Sequence, residues 1–368
     1  MREDKLRAEV MRPSALGRSE LAAWRQLLDE MPAFRRAFLT PSFALVCEKA
    51  LGRAYVAVLH DGSGIRGFLP FQFRSAWHQR LRLAELIGGN LSQGAGLIAG
   101  VDLRTDPASL LRLAGLASLQ LSHLIEDSVR FGLEADRWEP AWLTAIEEGP
   151  DAFFAGLLSR NRGLVRDTER QQRRAEKSYG NLVLESADRV PPDQLADLID
   201  RKRRQYRRTA AQDPFDDPSR LRLIEALNET PATECRVVAA RLRAGSQVLA
   251  QHLGLQCHDL LSWWFPVYDP SMQGLSPGRL LLWEVIRHAP EHGVKLIEYG
   301  EGEAQYKQQF GNRAIRLGRA FWHAGTVRSL AARLWQSAEW RSQRWGRRTH
   351  NLLAALGALV ERRPPLGR

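Results

Sequence analysis

Two stretches of this 368-residue chain share one pattern: an apolar run of strand character, a tight glycine turn, then a second apolar run. The first comprises residues 55–59, the turn Asp61-Gly62-Ser63-Gly64 and residues 65–73. The second comprises residues 236–242, the turn Arg243-Ala244-Gly245-Ser246 and residues 248–255. Apolar, β-branched runs on either side of a glycine turn read as a β-hairpin. The turn glycines Gly64 and Gly245 lie 181 residues apart, about half the chain, so the pattern predicts a duplicated module instead of two unrelated domains. Length agrees, since a chain of this size can bury a sizeable core and favours two domains.

Hydrophobic residues make up 44% of the chain, which places it among globular proteins. No run approaches the roughly 18 to 20 apolar residues that span a bilayer. The charged start Met1-Arg2-Glu3-Asp4-Lys5 has no apolar core behind it and does not read as a secretory signal, so a cytoplasmic protein is expected. Cys47, Cys235 and Cys257 are too few and too scattered for a disulfide framework or a paired-cysteine zinc site. They are expected to be reduced packing residues, and no metal is expected.

The formal charge of +11 invites a nucleic-acid reading, but much of it lies at one end. Residues 325–368 hold nine arginines against Glu339 and Glu361, and the rest of the chain is close to balance. A basic helical tail with Trp335, Trp340 and Trp345 suits peripheral contact with an anionic membrane, where each basic group adds about 1 kcal/mol. The alternative is a solvated helix, and tryptophans at every fifth position do not line one helical face. Nucleic acid is not the expected partner.

Two arginine-rich helical runs separate the hairpins. Residues 151–179 carry Phe153, Phe154, Leu157, Leu158, Leu164 and Val165 before a stretch of mixed charge, the mark of a solvated face. Residues 192–208, with a cap near Asp193, end in Arg201-Lys202-Arg203-Arg204-Gln205-Tyr206-Arg207-Arg208. That positive run reads either as a grip for phosphates or acidic glycans or as a plain solvated helix end.

After the second hairpin, residues 260–268 form an aromatic run suited to a buried central strand. A loop, Asp269-Pro270-Ser271-Met272-Gln273-Gly274-Leu275, leads into Ser276-Pro277-Gly278-Arg279-Leu280-Leu281-Leu282, where serine at the N-cap and proline at the first position signal a helix start. The unpaired amides near Gly278 to Leu280, with the helix dipole behind them, make an anion site. Gly278 would let a phosphate approach, and Arg279 could add a bidentate contact.

Gln273-x-x-Ser276-x-Gly278 resembles the pyrophosphate loop of GNAT acetyltransferases, with Ser276 in place of a glycine. Ser276-Pro277-Gly278-Arg279-Leu280-Leu281 is similar to the CelD-type branch, associated with cellulose and other exopolysaccharide synthesis. Residues 294–300 followed by Glu301-Gly302-Glu303-Ala304-Gln305-Tyr306-Lys307 resemble that branch's next strand and its Tyr-Lys helix, with Glu298 for the usual aspartate. Gln205-Tyr206-Arg207-Arg208-Thr209 before Asp213-Pro214-Phe215, and Leu86-Ile87-Gly88-Gly89-Asn90-Leu91-Ser92, resemble further stretches of it, though Gln93-Gly94 replaces an expected Asp-Tyr. The resemblance spans roughly residues 42–312.

It implies an α+β (mixed α/β) fold of tandem GNAT-like modules, each a splayed mixed β-sheet flanked by helices, divided as 1–150, 151–324 and a basic helical tail over 325–368. It also implies an acyl-CoA co-substrate, most simply acetyl-CoA, held at Gln273, Ser276, Gly278, Arg279 and Leu280. GNAT chemistry is direct transfer to an amine or hydroxyl. The resemblance makes Tyr306 the acid that protonates the departing thiolate, while His252 and Glu298 are the candidate bases. Glu303, Lys307, Tyr206 and Arg207 are expected to serve a sugar or polysaccharide-precursor acceptor. Two rivals are a Fem-type transferase using aminoacyl-tRNA and a non-catalytic scaffold of polysaccharide-synthesis machinery.

Overall fold

The computed structural model describes residues 5–211, 213–230, 234–302, 304–326 and 329. The chain runs through β1 (Arg7–Met11), α1 (Arg18–Glu30), α2 (Pro41–Leu51), β2 (Ala54–Asp61), β3 (Gly64–Gln72), α3 (Ala76–Leu81), β4 (Leu83–Leu86), β5 (Ile98–Ala99), α4 (Pro107–Leu113) and β6 (Ser118–Ile125). It continues through β7 (Arg137–Ala145), α5 (Pro150–Arg160), α6 (Arg162–Tyr179), β8 (Leu182–Ala187), α7 (Pro192–Thr209), α8 (Pro218–Glu229), β9 (Cys235–Ala244) and β10 (Gln247–Cys257). The described part closes with β11 (Leu260–Tyr268), α9 (Pro277–Arg287), β12 (Leu296–Glu301), α10 (Gln305–Phe310) and β13 (Arg313–His323).

Two compact units result. One contains the chain up to Glu30, Gly52–Arg137 and the described residues from Gly318 on; the other contains Met31–Leu51 and Trp138–Leu317. In the first, β1, β2, β3 and β4 are antiparallel neighbours in that order, and β6 joins β4 in parallel. In the second, β8, β9, β10 and β11 repeat the antiparallel series, and β12 joins β11 in parallel, with β7 on its far side. A helix makes each parallel crossover, α4 in one unit and α9 in the other. Both units are thus mixed sheets flanked by helices, with one connectivity used twice. The expected fold class is what the structure shows.

Both anticipated hairpins form, Asp61 pairing with Gly64 and Ala244 with Gln247. The helical run expected over 151–179 is instead two helices, broken at Asn161, whose side chain accepts the Leu164 amide and starts α6. Asparagine favours a cap over a helix interior for this reason. The core of the second unit packs Leu157, Leu249, Leu261, Trp263, Leu281, Ile286 and Phe310, all buried, under α5, α6 and α9. Cys47, Cys235 and Cys257 are free and buried, and Cys235 stands directly opposite Cys257 on β9 and β10. Among the described residues no helix is long and apolar enough to cross a membrane. The basic tail lies almost wholly outside the described residues.

Candidate active site

Every expected site residue that the structure describes belongs to the second unit, in which β11 and β12 part company. Leu260, Leu261 and Ser262 stand opposite Leu296, Ile297 and Glu298, and among the described residues the parallel ladder stops there. β11 runs on to Tyr268 and β12 to Glu301. Each strand bends at this point. On β11, Trp263 and Trp264 together face the single Gly254 of β10, a β-bulge that re-aims the strand. On β12, the register with β7 breaks between Glu298 and Glu301, and Gly300 takes a φ of 66°, open to glycine at no steric cost.

His252 fills the bulge. A Cβ on Gly254 would lie 2.5 Å from His252 Cε1, so only glycine leaves room for the ring, which stacks on Trp263 at 3.8 Å. Its Nε2 accepts the Trp264 backbone N–H at 3.2 Å, which leaves the ring proton on Nδ1. Burial, with Lys202 nearby, pushes the His252 pKa down to about 3. The ring is neutral and its one basic nitrogen is engaged.

Glu298 is fully buried, and its carboxylate takes a bidentate contact from Arg36, Nε to Oε2 at 2.9 Å and Nη2 to Oε1 at 3.2 Å. Arg36 lies between α1 and α2, and its Nη1 also donates to the Ala33 carbonyl. The pair anchors the last rung of the parallel ladder.

At the far end of β11, residues 270–275 form a 3-10 turn started by Asp269, whose side chain accepts the Ser271 amide. Ser276 occupies the N-cap of α9, as expected, but in a left-handed conformation (φ 51°) that turns its side chain away from capping. Its carbonyl instead accepts the amides of Arg279 at 3.0 Å and Leu280 at 3.1 Å. Pro277 has no N–H, so the expected cradle of three amides narrows to that of Gly278, half-exposed beside the Tyr268 ring. Arg279 is drawn aside to Asp167 of α6, whose carboxyl it holds below the usual range. Leu280 is buried in the core, and Gln273 is exposed on the turn.

Tyr306 and Lys307 open α10, just past the end of β12. The Tyr306 ring meets Tyr299 edge-on at 5.8 Å, and its hydroxyl has no hydrogen-bond partner among the described residues. Burial pushes its pKa up to about 12. The Lys307 ammonium donates to the carbonyls of Gly300 at 3.3 Å and Glu301 at 2.5 Å, bracing the turn out of β12, and burial brings its pKa down to about 8. Glu303 lies outside the described residues. Tyr206 packs on Phe215 at 6.3 Å, with its pKa raised to about 12 by burial, then by Asp213. Arg207 is exposed on α7.

The fold therefore gathers Glu298, Tyr306 and Lys307 on the β12 side of the divergence and His252 and Gly278 along β11. It sends Arg279 and Leu280 elsewhere. Sequence reasoning missed Arg36, whose only signal was distance-blind chemistry, and Lys202, the one lysine in a run of arginines.

Residues 160–308 match the family model described as the acetyltransferase (GNAT) domain, a segment that contains the whole divergence, the 3-10 turn and α9. The chain carries a GNAT acetyltransferase domain. It is an acyltransferase on that ground. A search of curated proteins finds no match. Among solved structures the chain is similar to FemX, with 11% identity, 89% of this chain and 99% of that one covered, and a TM-score of 0.58. It is also similar to a conserved protein of unknown function from Bacteroides thetaiotaomicron VPI-5482, with 12% identity, 82% and 97% covered, and a TM-score of 0.51. At these identities the likeness is one of fold, and it runs nearly the full length of both partners. Among the described residues no group of three or more His, Cys, Asp or Glu is placed to hold a metal ion.

Proposed function

We propose that the chain transfers an acyl group, most simply acetyl, from coenzyme A directly to an amine or hydroxyl of a sugar or polysaccharide-precursor acceptor. The observation that carries this reading is the parting of β11 from β12 after Ser262 and Glu298, within the matched domain and leading to the start of α9. The gap fits such a donor in two respects. It leaves one strand edge of β11 unpaired among the described residues, and it ends at the free Gly278 amide with the positive end of the α9 dipole behind it.

When bound, acyl-CoA supplies a thioester carbon open to attack. The Gly278 amide holds a phosphate oxygen; Ser276 shapes the turn through its carbonyl and Gln273 lines it. Arg279 serves indirectly, tying the helix start to α6 through Asp167. Tyr306 gives its proton to the departing sulfur, a role that its uncommitted hydroxyl and high pKa allow, and the proton that the acceptor loses on acylation restores the phenol. Glu298, spent on Arg36, acts as a brace in place of a base, and His252 holds the bulge through the Trp264 amide. Tyr206 and Arg207 of α7, Lys307 of α10 and Glu303 serve the acceptor in this reading.

A second reading, Fem-type transfer from an aminoacyl-tRNA, is supported by the FemX likeness, which concerns the fold alone. A release assay separates the two. Incubation with acetyl-CoA and a panel of amino sugars and sugar nucleotides, read as free CoA thiol, is expected to give acceptor-dependent turnover. No thiol release with any acceptor, combined with label transfer from aminoacyl-tRNA, would replace the first reading by the second.

A further inference from the structure

Within the basic run of α7, the three arginines nearest Lys202 find carboxylates: Arg201 reaches Asp197 at 2.8 Å, Arg203 reaches Asp213 at 3.1 Å and Arg204 reaches Asp200 at 2.8 Å. Lys202 does not. It is 7% exposed, and among the described residues its ammonium meets only neutral acceptors, the Pro266 carbonyl at 2.7 Å and Gln205 Oε1 at 3.2 Å, with the Tyr206 ring 5.2 Å away. A cation withdrawn from water without a counter-charge is costly, so its place against β11 is informative.

The ladder fixes that place. The Asp269 amide donates to the Leu249 carbonyl at 3.0 Å while Tyr268 stands opposite Ala250. Backbone groups alternate in direction along a strand, so Phe265 and Val267 turn theirs toward β10, and Pro266 and Tyr268 turn theirs away. The Pro266 carbonyl therefore faces the edge that β12 leaves after Ser262. Proline is tolerated there because no ladder bond is lost, but at position 266 that edge has an acceptor and no donor. An ammonium carries three donors, and Lys202 has committed two.

We propose that Lys202 stands in for the missing Pro266 amide and donates a hydrogen bond to a carbonyl oxygen of the acyl donor's amide-bearing arm, laid along the open edge of β11. This rests on the acyl-CoA reading and names the contact that orients the arm. An extended amide chain adds to a strand edge through alternating donors and acceptors. At position 266 the backbone gives the acceptor and α7 the donor. Burial brings the Lys202 pKa down to about 8, which still leaves the amine mostly charged at neutral pH.

The test is calorimetric titration of the full-length protein with acetyl-CoA. Lys202→Met is expected to weaken binding roughly 10- to 100-fold, the loss of one charge-assisted hydrogen bond. Adding Pro266→Ala to that variant is expected to recover much of the affinity, because alanine restores an N–H on the same edge. A merely structural lysine would lower the melting temperature, leave the Kd of the folded protein unchanged and gain nothing from Pro266→Ala, and that outcome would overturn the proposal. If Lys202→Met does not fold, Lys202→Gln, which gives up the charge that strengthens the bond, is read instead and is expected to bind acetyl-CoA more weakly than wild type and to regain affinity with Pro266→Ala; wild-type affinity in Lys202→Gln and a Kd unmoved by Pro266→Ala would overturn the proposal equally. Wild-type protein that binds no acetyl-CoA would remove both this inference and the reading beneath it, whereas tight wild-type binding with unaffected variants would remove this inference alone.

Discussion

Replacing Arg36 with methionine leaves the Glu298 carboxylate buried, charged and without its bidentate partner. Glu298 is 0% exposed and Arg36 6%, so neither can recover its lost bonds from water without opening the strand apex. Breaking a buried pair from one side costs about 3–5 kcal/mol, whereas exchanging both members for apolar residues of similar volume is close to neutral. Arg36→Met and Glu298→Met should each lose about 3–5 kcal/mol, and the double variant far less than their sum, a strong coupling. Domain stabilities run to about 5–15 kcal/mol, so either single change removes a large share. Urea unfolding of the four proteins, fitted with a common m-value, measures the cycle. Single variants within about 1 kcal/mol of wild type, or a double variant equal to the sum, would refute the brace. Acyl transfer by the folded double variant at a substantial rate would further show that Glu298 is no base.

Three other outcomes follow from the same geometry. Tyr306→Phe should lower kcat by about 10²- to 10⁴-fold, the usual worth of a positioned acid, while sparing acetyl-CoA binding, and unchanged turnover would remove the phenol from that role. His252 takes its proton near pH 6.5 when unfolded but only at about 3 when folded, so the unfolded state binds more protons between these values and stability falls as pH drops through that window. His252→Gln should therefore flatten the acid side of the stability–pH curve by up to about 1.4 kcal/mol per pH unit, and an unaltered slope would contradict the neutral buried ring. Gly278→Asp should abolish acetyl-CoA binding without unfolding the protein, since a Cβ there meets only the Tyr268 ring at 3.7 Å; retained affinity would mean that the phosphates sit elsewhere.

Features governed by local chemistry could be read from the sequence. Glycine turns flanked by apolar runs gave both hairpins, and Pro277 after Ser276 marked the start of α9, because turn and cap preferences act within a few residues. Whether Ser276 caps by side chain or carbonyl was not readable, since its left-handed backbone is set by the 3-10 turn before it. Asn161 carried a cap signal inside an apparently continuous helical run, and the cap prevailed. Arg36 and Glu298 are 262 positions apart, and nothing local to either announces the other. Arg279 looked free for phosphate until α6 brought Asp167 within reach. The basic run on α7 seemed uniform, and only the burial of one face separates Lys202 from the ion-paired arginines beside it. The cysteines, distant along the chain, include a directly cross-strand pair for the same reason.

Hydrogen exchange of the backbone amides over residues 263–280, with and without acetyl-CoA at about 100 times its Kd, tests the site most directly. Ligand at that level stabilises the binding-competent fold by about 2.7 kcal/mol. Slowed exchange concentrated at the open edge of β11 and at Gly278 is the predicted result. Protection that falls outside 263–280, or none at all, would contradict an acyl donor held where β11 and β12 part.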